Sequence, residues 1–160
     1  VWINCNGDGG ITIESSGNVT GATQAHWEDL DDLFQIAANR GVYILATLIS
    51  FDNTITDNPN YQAWRNMYTS SSNIDSMVNN YVIPFVNRYK NNPYLFAIEP
   101  CNEIEWVHEQ EDRGALPKKD LQEYVAKVAK AVHENSDILV TQGAACIKWN
   151  SETCTDAQGN

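Results

Sequence analysis

Positive charge is scarce in this 160-residue chain: ten Lys and Arg stand against 21 Asp and Glu, a net charge of −11. A surface that acidic repels phosphate backbones and anionic headgroups, so neither nucleic acid nor a membrane is expected as a partner, whereas a neutral ligand such as a sugar meets no such barrier. No apolar run approaches the roughly 20 residues needed to cross a bilayer. No charged-then-apolar leader stands at the front, and the chain opens on Val1 rather than Met. It therefore reads as a soluble chain that has been processed or trimmed, and its direct opening into a strand suggests an excised segment.

Several signatures of chemistry are missing as well. Cys5, Cys101, Cys146 and Cys154 show no CxxC spacing, which argues against zinc. Cys101 and Cys146 lie in apolar, strand-like stretches and read as buried free thiols. His26, His108 and His133 form no HExxH-like pattern, and His133 near a helix C-terminus is explained by the helix dipole alone. No metal is inferred, and no cofactor is expected: no Gly-rich loop follows a strand to cradle a phosphate. The G-x-S-x-G elbow of an α/β-hydrolase esterase is absent too.

What is present is an alternation of short apolar runs with longer helical patterns, the mark of βαβ units around a parallel sheet. Val1-Trp2-Ile3 reads as a strand stub, and the polar, Gly-rich stretch from Asn4 to Gly21 as a long loop. Trp27, Leu30, Leu33, Phe34 and Ala37 recur at helical spacing up to Gly41, a good C-terminal stop. The continuous run from Val42 to Ile49 reads as a strand buried on both faces, followed by a polar loop. Ile74, Met77, Val78, Tyr81, Val82, Phe85, Val86 and Tyr89 predict an amphipathic helix over 73–90, kinked by Pro84. Tyr94 to Ile98 is the next strand and runs directly into Glu99-Pro100-Cys101-Asn102-Glu103. Leu121, Tyr124, Val125, Val128 and Val132 mark a further helix, with Pro117 near its first turn, and Ile138 to Thr141 a fourth strand. These units are too few to close a (β/α)8 barrel, which takes about 250 residues. The expected architecture is one α/β domain over 1–160, a partial TIM barrel.

In parallel α/β folds functional groups gather at the C-terminal ends of strands. Asn102 and Glu103 stand at such an end, with Glu99, Glu105 and Trp106 beside them. That pairing suits glycosidic cleavage: a carboxylic acid protonates the leaving oxygen, and an amide binds a ring hydroxyl whose contact strengthens in the transition state. Holding that proton at neutral pH calls for a raised Glu103 pKa, which apolar or acidic neighbours supply. Trp2, Trp106 and Trp149 also fall at or just past strand ends, where flat rings can stack on pyranose faces; core packing is the alternative for each.

The residues that carry these features resemble the family 5 glycoside hydrolases of clan A, and among them the endo-β-1,4-mannanases. The resemblance covers nearly the whole chain. Val1 to Asp8 is similar to the family's second barrel strand and its end, and Leu30 to Asp52 to the following helix and third strand. YVIPFVNRYKNNPYLFAIEPCNE, Tyr81 to Glu103, resembles the helix and fourth strand that deliver the Asn-Glu pair, and Ile138 to Gly143 the fifth strand. The resemblance implies a barrel segment covering about strands 2 to 5, with Glu103 as acid/base and Asn102, Asn4 and Asp52 among the substrate-binding residues. The chain differs in carrying Ile104 where members usually have Pro, and Ser50-Phe51-Asp52 where many cellulases carry a His; the second difference favours mannan over cellulose. The family's nucleophilic Glu comes from the seventh strand, beyond the matched stretch.

The resulting expectation is a secreted glycoside hydrolase acting on a β-1,4-linked polysaccharide or oligosaccharide by a retaining mechanism. A non-catalytic carbohydrate-binding half-barrel is the alternative, and self-association through open barrel edges is a further possibility.

Overall fold

Much of the stretch expected to be one long loop from Asn4 to Gly21 is instead an antiparallel hairpin, β1 (Ile11–Ile13) and β2 (Val19–Ala22). The computed structural model describes residues 1–4 and 10–146. The polar composition hid the hairpin because only Ile11 and Val19 of it are fully in the core, with Ile13 and Ala22 packed against the core's edge. Its tip is gripped by helix side chains: Asn66 and Asn73 donate to the carbonyls of Ser15 and Ser16 at 3.0 and 2.8 Å. Gly17 at the tip has φ 91°, and a Cβ there would come within 2.5 Å of the Met67 backbone nitrogen, so only glycine fits.

Helix α1 (Gln24–Arg40) begins at Thr23, whose hydroxyl accepts from the His26 N–H at 3.2 Å, and ends at Gly41 in the left-handed conformation. Its buried Leu30, Phe34 and Ala37 are residues of the expected apolar stripe. Strand β3 (Ile44–Ser50) follows. The loop expected after it contains a 3-10 turn, Phe51–Thr54, and a helix, α2 (Tyr61–Tyr68), that buries Ala63, Trp64, Met67 and Tyr68. Eight residues give barely two turns, too short for periodicity to stand out in the sequence.

The amphipathic stretch expected over 73–90 is a helical run in three pieces: α3 (Ser71–Met77), a π-helical segment (Val78–Val82) and α4 (Ile83–Tyr89). Pro84 lacks an N–H and its ring crowds the carbonyl of Asn80. The helix accommodates this by widening just before it, with the Ile83 N–H reaching back five residues to the Val78 carbonyl. Strand β4 (Leu95–Asn102), a short helix α5 (Glu105–Glu109), helix α6 (Lys118–Asn135) and strand β5 (Leu139–Val140) complete the order.

β3, β4 and β5 pair in parallel in that order. The stub joins the free side of β3: Trp2 bridges Thr47, the Ile3 N–H donates to the Thr47 carbonyl at 3.0 Å, and the Thr47 N–H to the Val1 carbonyl at 2.9 Å. Four parallel segments thus lie side by side in chain order, with α1, α3–α4 and α6 between successive ones. That is the βα succession of a TIM barrel over the expected strands 2 to 5. One hydrophobic cluster links the sheet to the helices, with Phe34 stacked on Tyr89 at 4.4 Å and Tyr68 edge-on to Tyr124 at 5.0 Å.

Candidate active site

β4 is the middle strand of the sheet, and its last residue, Asn102, lies in register with Ser50 at the end of β3. The chain then passes through a single residue in the left-handed region, Glu103 with φ 46°, and turns at once into α5, the Trp106 N–H donating to the Glu103 carbonyl at 3.1 Å. A non-glycine residue in that region is strained, and such strain persists only where the surroundings over-determine it. Asn102 and Glu103 are both partly exposed at this strand end.

The surroundings that hold it are polar ties and buried aromatics. Glu99 bridges strands: Thr47 Oγ1 donates to its Oε2 at 2.7 Å and the Gly143 N–H to its Oε1 at 3.0 Å. A Cβ on Gly143 would sit 2.6 Å from Glu99 Oε1, so a larger residue there would have to push the Glu99 carboxylate aside. Gln142 Nε2 donates to the Cys101 carbonyl at 2.6 Å, and Glu105 Oε1 accepts from the Ala145 N–H. From the helix side, Tyr124 donates its hydroxyl to the Pro100 carbonyl at 3.0 Å and Tyr68 to Cys101 Sγ at 3.4 Å.

Burial pushes the Cys101 thiol well above its ordinary range, so it is a neutral packing group rather than a nucleophile. This is the buried free thiol expected there. Cys146, expected in a strand-like context, is a free thiol in a bend after β5.

Asp52 sits in the 3-10 turn beyond β3, partly exposed, accepting from Ser50 Oγ at 3.3 Å. The register of Ser50 with Asn102 brings that turn to the same sheet end as the Asn-Glu pair. Trp2 is half exposed, at 50%, beside Thr47, and Trp106 is partly buried in α5. Asn4 is 1% exposed, and neither amide atom has a hydrogen-bond partner among the described residues. Trp149, like Cys5 and Cys154, lies outside the described residues.

Glu99 and Glu105, expected as acidic neighbours of Glu103, are part of the framework that ties the strand end together, along with Thr47 and Gln142, which were not expected. The one sequence signal was an acid, Glu99, inside an otherwise apolar strand. Among the described residues no group of three or more His, Cys, Asp or Glu is arranged to hold a metal ion.

An apolar groove of about 340 Å³ adjoins this site, between α6 and the stretch after β5, walled by Ile104, Leu121, Val125, Ala129 and Ala144. Glu105, 7% exposed, also lines it. Glu105 Oε2 and the Gln142 side-chain oxygen are buried without a donor among the described residues, an arrangement that costs free energy until a donor arrives.

No family model matches the chain. A mannan endo-1,4-β-mannosidase from Cryptopygus antarcticus is 28% identical over 181 residues, an alignment that takes in 99% of this chain and 45% of that protein. The crystal structure of the β-1,4-D-mannanase from Cryptopygus antarcticus superposes with a TM-score of 0.74 at 25% identity, covering 90% of this chain and 44% of the other. The β-1,4-mannanase of the sea hare Aplysia kurodai gives a TM-score of 0.79 at 18% identity, over 95% of this chain and 49% of that one. The β-mannanase of Mytilus edulis gives 0.79 at 18%, over 96% and 48%. The chain thus spans about half the length of the curated relative it matches, and the expected partial barrel stands. The chain is similar over nearly its full length to part of these mannanases and shares their fold as a portion of a TIM barrel.

Proposed function

We propose that the chain carries the acid/base side of a retaining endo-β-1,4-mannanase site, with Glu103 as the proton donor and Asn102 as the amide that binds a ring hydroxyl. The observation that carries this is the placement of Asn102-Glu103 at the C-terminal end of the middle strand, with Glu103 held at φ 46°. In the first step Glu103 protonates the glycosidic oxygen as a second carboxylate attacks the anomeric carbon; in the second Glu103 takes a proton from the water that releases the sugar. That geometry needs two carboxyl groups about 5–5.5 Å apart, and the second one belongs to the part of the barrel this chain does not span. Trp2 and Trp106 offer aromatic surface near the same sheet end, and Asp52 a hydrogen-bonding carboxylate. The relatives named for mannan favour that polymer, with cellulose next. A polymeric substrate is met outside the cell, so the same reading makes the protein a secreted one.

The groove along α6 supports the same view of the barrel as unfinished. Its Leu121-Val125-Ala129 stripe and the two acceptors that have no donor among the described residues suit a covering helix that brings apolar side chains and a hydrogen-bond donor. The remaining part of a mannanase-like barrel is the proposed occupant. A second copy of this chain would instead give a concentration-dependent dimer in sedimentation.

The test measures binding and reducing-end release on mannan, soluble cellulose and xylan for the wild type and Glu103→Gln. Preferential binding of mannan, with any hydrolysis abolished in Glu103→Gln, is expected. Hydrolysis that survives the substitution, or no binding of mannan by the wild type, refutes the assignment.

A further inference from the structure

We infer that Asn18 is an acceptor for N-linked glycosylation. Asn18-Val19-Thr20 is the only N-x-S/T triplet in the 160 residues, and such a triplet marks a surface acceptor in a secreted protein. The inference rests on the proposal that the protein is secreted.

The geometry supports it independently of the motif. In a strand alternate residues face opposite sides: β2 turns Val19 into the core at 0% exposure and leaves Thr20 exposed, while Asn18, just before the strand, is half-buried with its side-chain amide in an exposed hydrogen bond. Asn18 Nδ2 donates to Glu14 Oε2 at 3.2 Å and Thr20 Oγ1 to Thr12 Oγ1 at 2.8 Å; both bonds are exposed and stay within the hairpin. The rest of the protein holds the hairpin by its backbone: Val19 N–H donates to Ser76 Oγ and Asn80 Nδ2 to the Val19 carbonyl, each at 2.8 Å. The amide that would carry the sugar and the hydroxyl that completes the triplet are thus together on the outer side of a firmly docked turn. A glycan there displaces only the surface contact with Glu14.

The donor is a lipid-linked oligosaccharyl diphosphate of the secretory pathway. Asn18 Nδ2 forms a bond to the anomeric carbon, the bond from that carbon to the phosphate oxygen breaks, the lipid diphosphate leaves, and the amide loses one proton.

The chain is expressed behind a secretory leader in a eukaryotic host, and intact mass is read on both the secreted and the microsomal pools. That leader separates the two questions: entry into the pathway no longer depends on the protein's natural location. The wild type is expected to exceed its polypeptide mass by one glycan, removed by a peptide-N-glycosidase that leaves Asp at position 18. Asn18→Gln and Thr20→Ala should run at polypeptide mass, and Thr20→Ser should keep the glycan. Wild type at polypeptide mass in both pools, or a glycan that persists in Asn18→Gln, overturns the inference.

Discussion

Glu103 joins a strained backbone to the proposed acid, and the two can be separated by substitution. For an L-residue the left-handed region costs about 1–2 kcal/mol. Glycine escapes that cost but brings a more disordered unfolded chain, worth about 0.5–1 kcal/mol in the opposite direction. Glu103→Gly is therefore expected to be more stable than Glu103→Ala by about 0.5–1 kcal/mol. At this chain length 1 kcal/mol corresponds to about 2–4 °C in the unfolding midpoint. Comparing glycine with alanine, rather than with wild type, removes the contribution of the carboxylate's own contacts. Ala115 shares the φ of 46° and is exposed, so Ala115→Gly makes the same backbone change away from the acid. It should raise the midpoint by a similar amount and leave mannan binding unaltered. Calorimetry and urea unfolding on the four proteins give the answer. Equal midpoints for the glycine and alanine variants at 103, alongside a gain at 115, would refute the claim that strain is stored at the proposed proton donor.

Other outcomes follow from the same structure. Gly143→Ala brings a Cβ to 2.6 Å from Glu99 Oε1, the end of a half-buried side chain, and should cost about 1 kcal/mol by displacing the bond that oxygen accepts from the Gly143 N–H. That loss should largely vanish in a Glu99→Ala background, and an undiminished loss in the double-mutant cycle would show that the clash lies elsewhere. Trp64→Ala removes a side chain with 0% exposure from α2 and should destabilise by about 3–5 kcal/mol; a urea midpoint close to wild type would mean that α2 is not part of the cooperative core. Arg88 hydrogen-bonds Asp31 and holds its carboxyl below the usual range. Because the folded pKa is depressed, the pair's contribution is present above the ordinary aspartate range and is lost as pH falls through the folded value. Side-chain exposures of 43% and 45% keep the effect small. Asp31→Asn should thus be modestly less stable than wild type near neutrality and indistinguishable from it in strong acid; a gap that widens on acidification contradicts the sign.

The sequence by itself determined the elements whose signals are local. α1 was legible from Trp27 to Gly41 because an apolar stripe and a glycine stop are properties of adjacent residues. The β-rich runs behind β3 and β4 were legible for the same reason, and the continuation of β4 into Asn102-Glu103 set the candidate acid at a strand end. The strand order was implied by alternation, since parallel neighbours need a crossover between them.

Tertiary structure alone decided the rest. The β1–β2 hairpin and α2 have too few residues to show a period, and they are stabilised by what they dock on: Ser15 and Ser16 carbonyls by Asn66 and Asn73, Trp64 by the surrounding core. The widening before Pro84 depends on a helix whose apolar face is already committed on both sides of the proline. The tie from Thr47 through Glu99 to Gly143 joins residues 52 and 44 positions apart, a separation at which no local pattern operates. Glu103's left-handed backbone belongs to this second group. An isolated Asn-Glu dipeptide would relax out of it; here the strand that ends at Asn102, the ties across it and the helix that starts at Glu105 leave the chain no other way to turn.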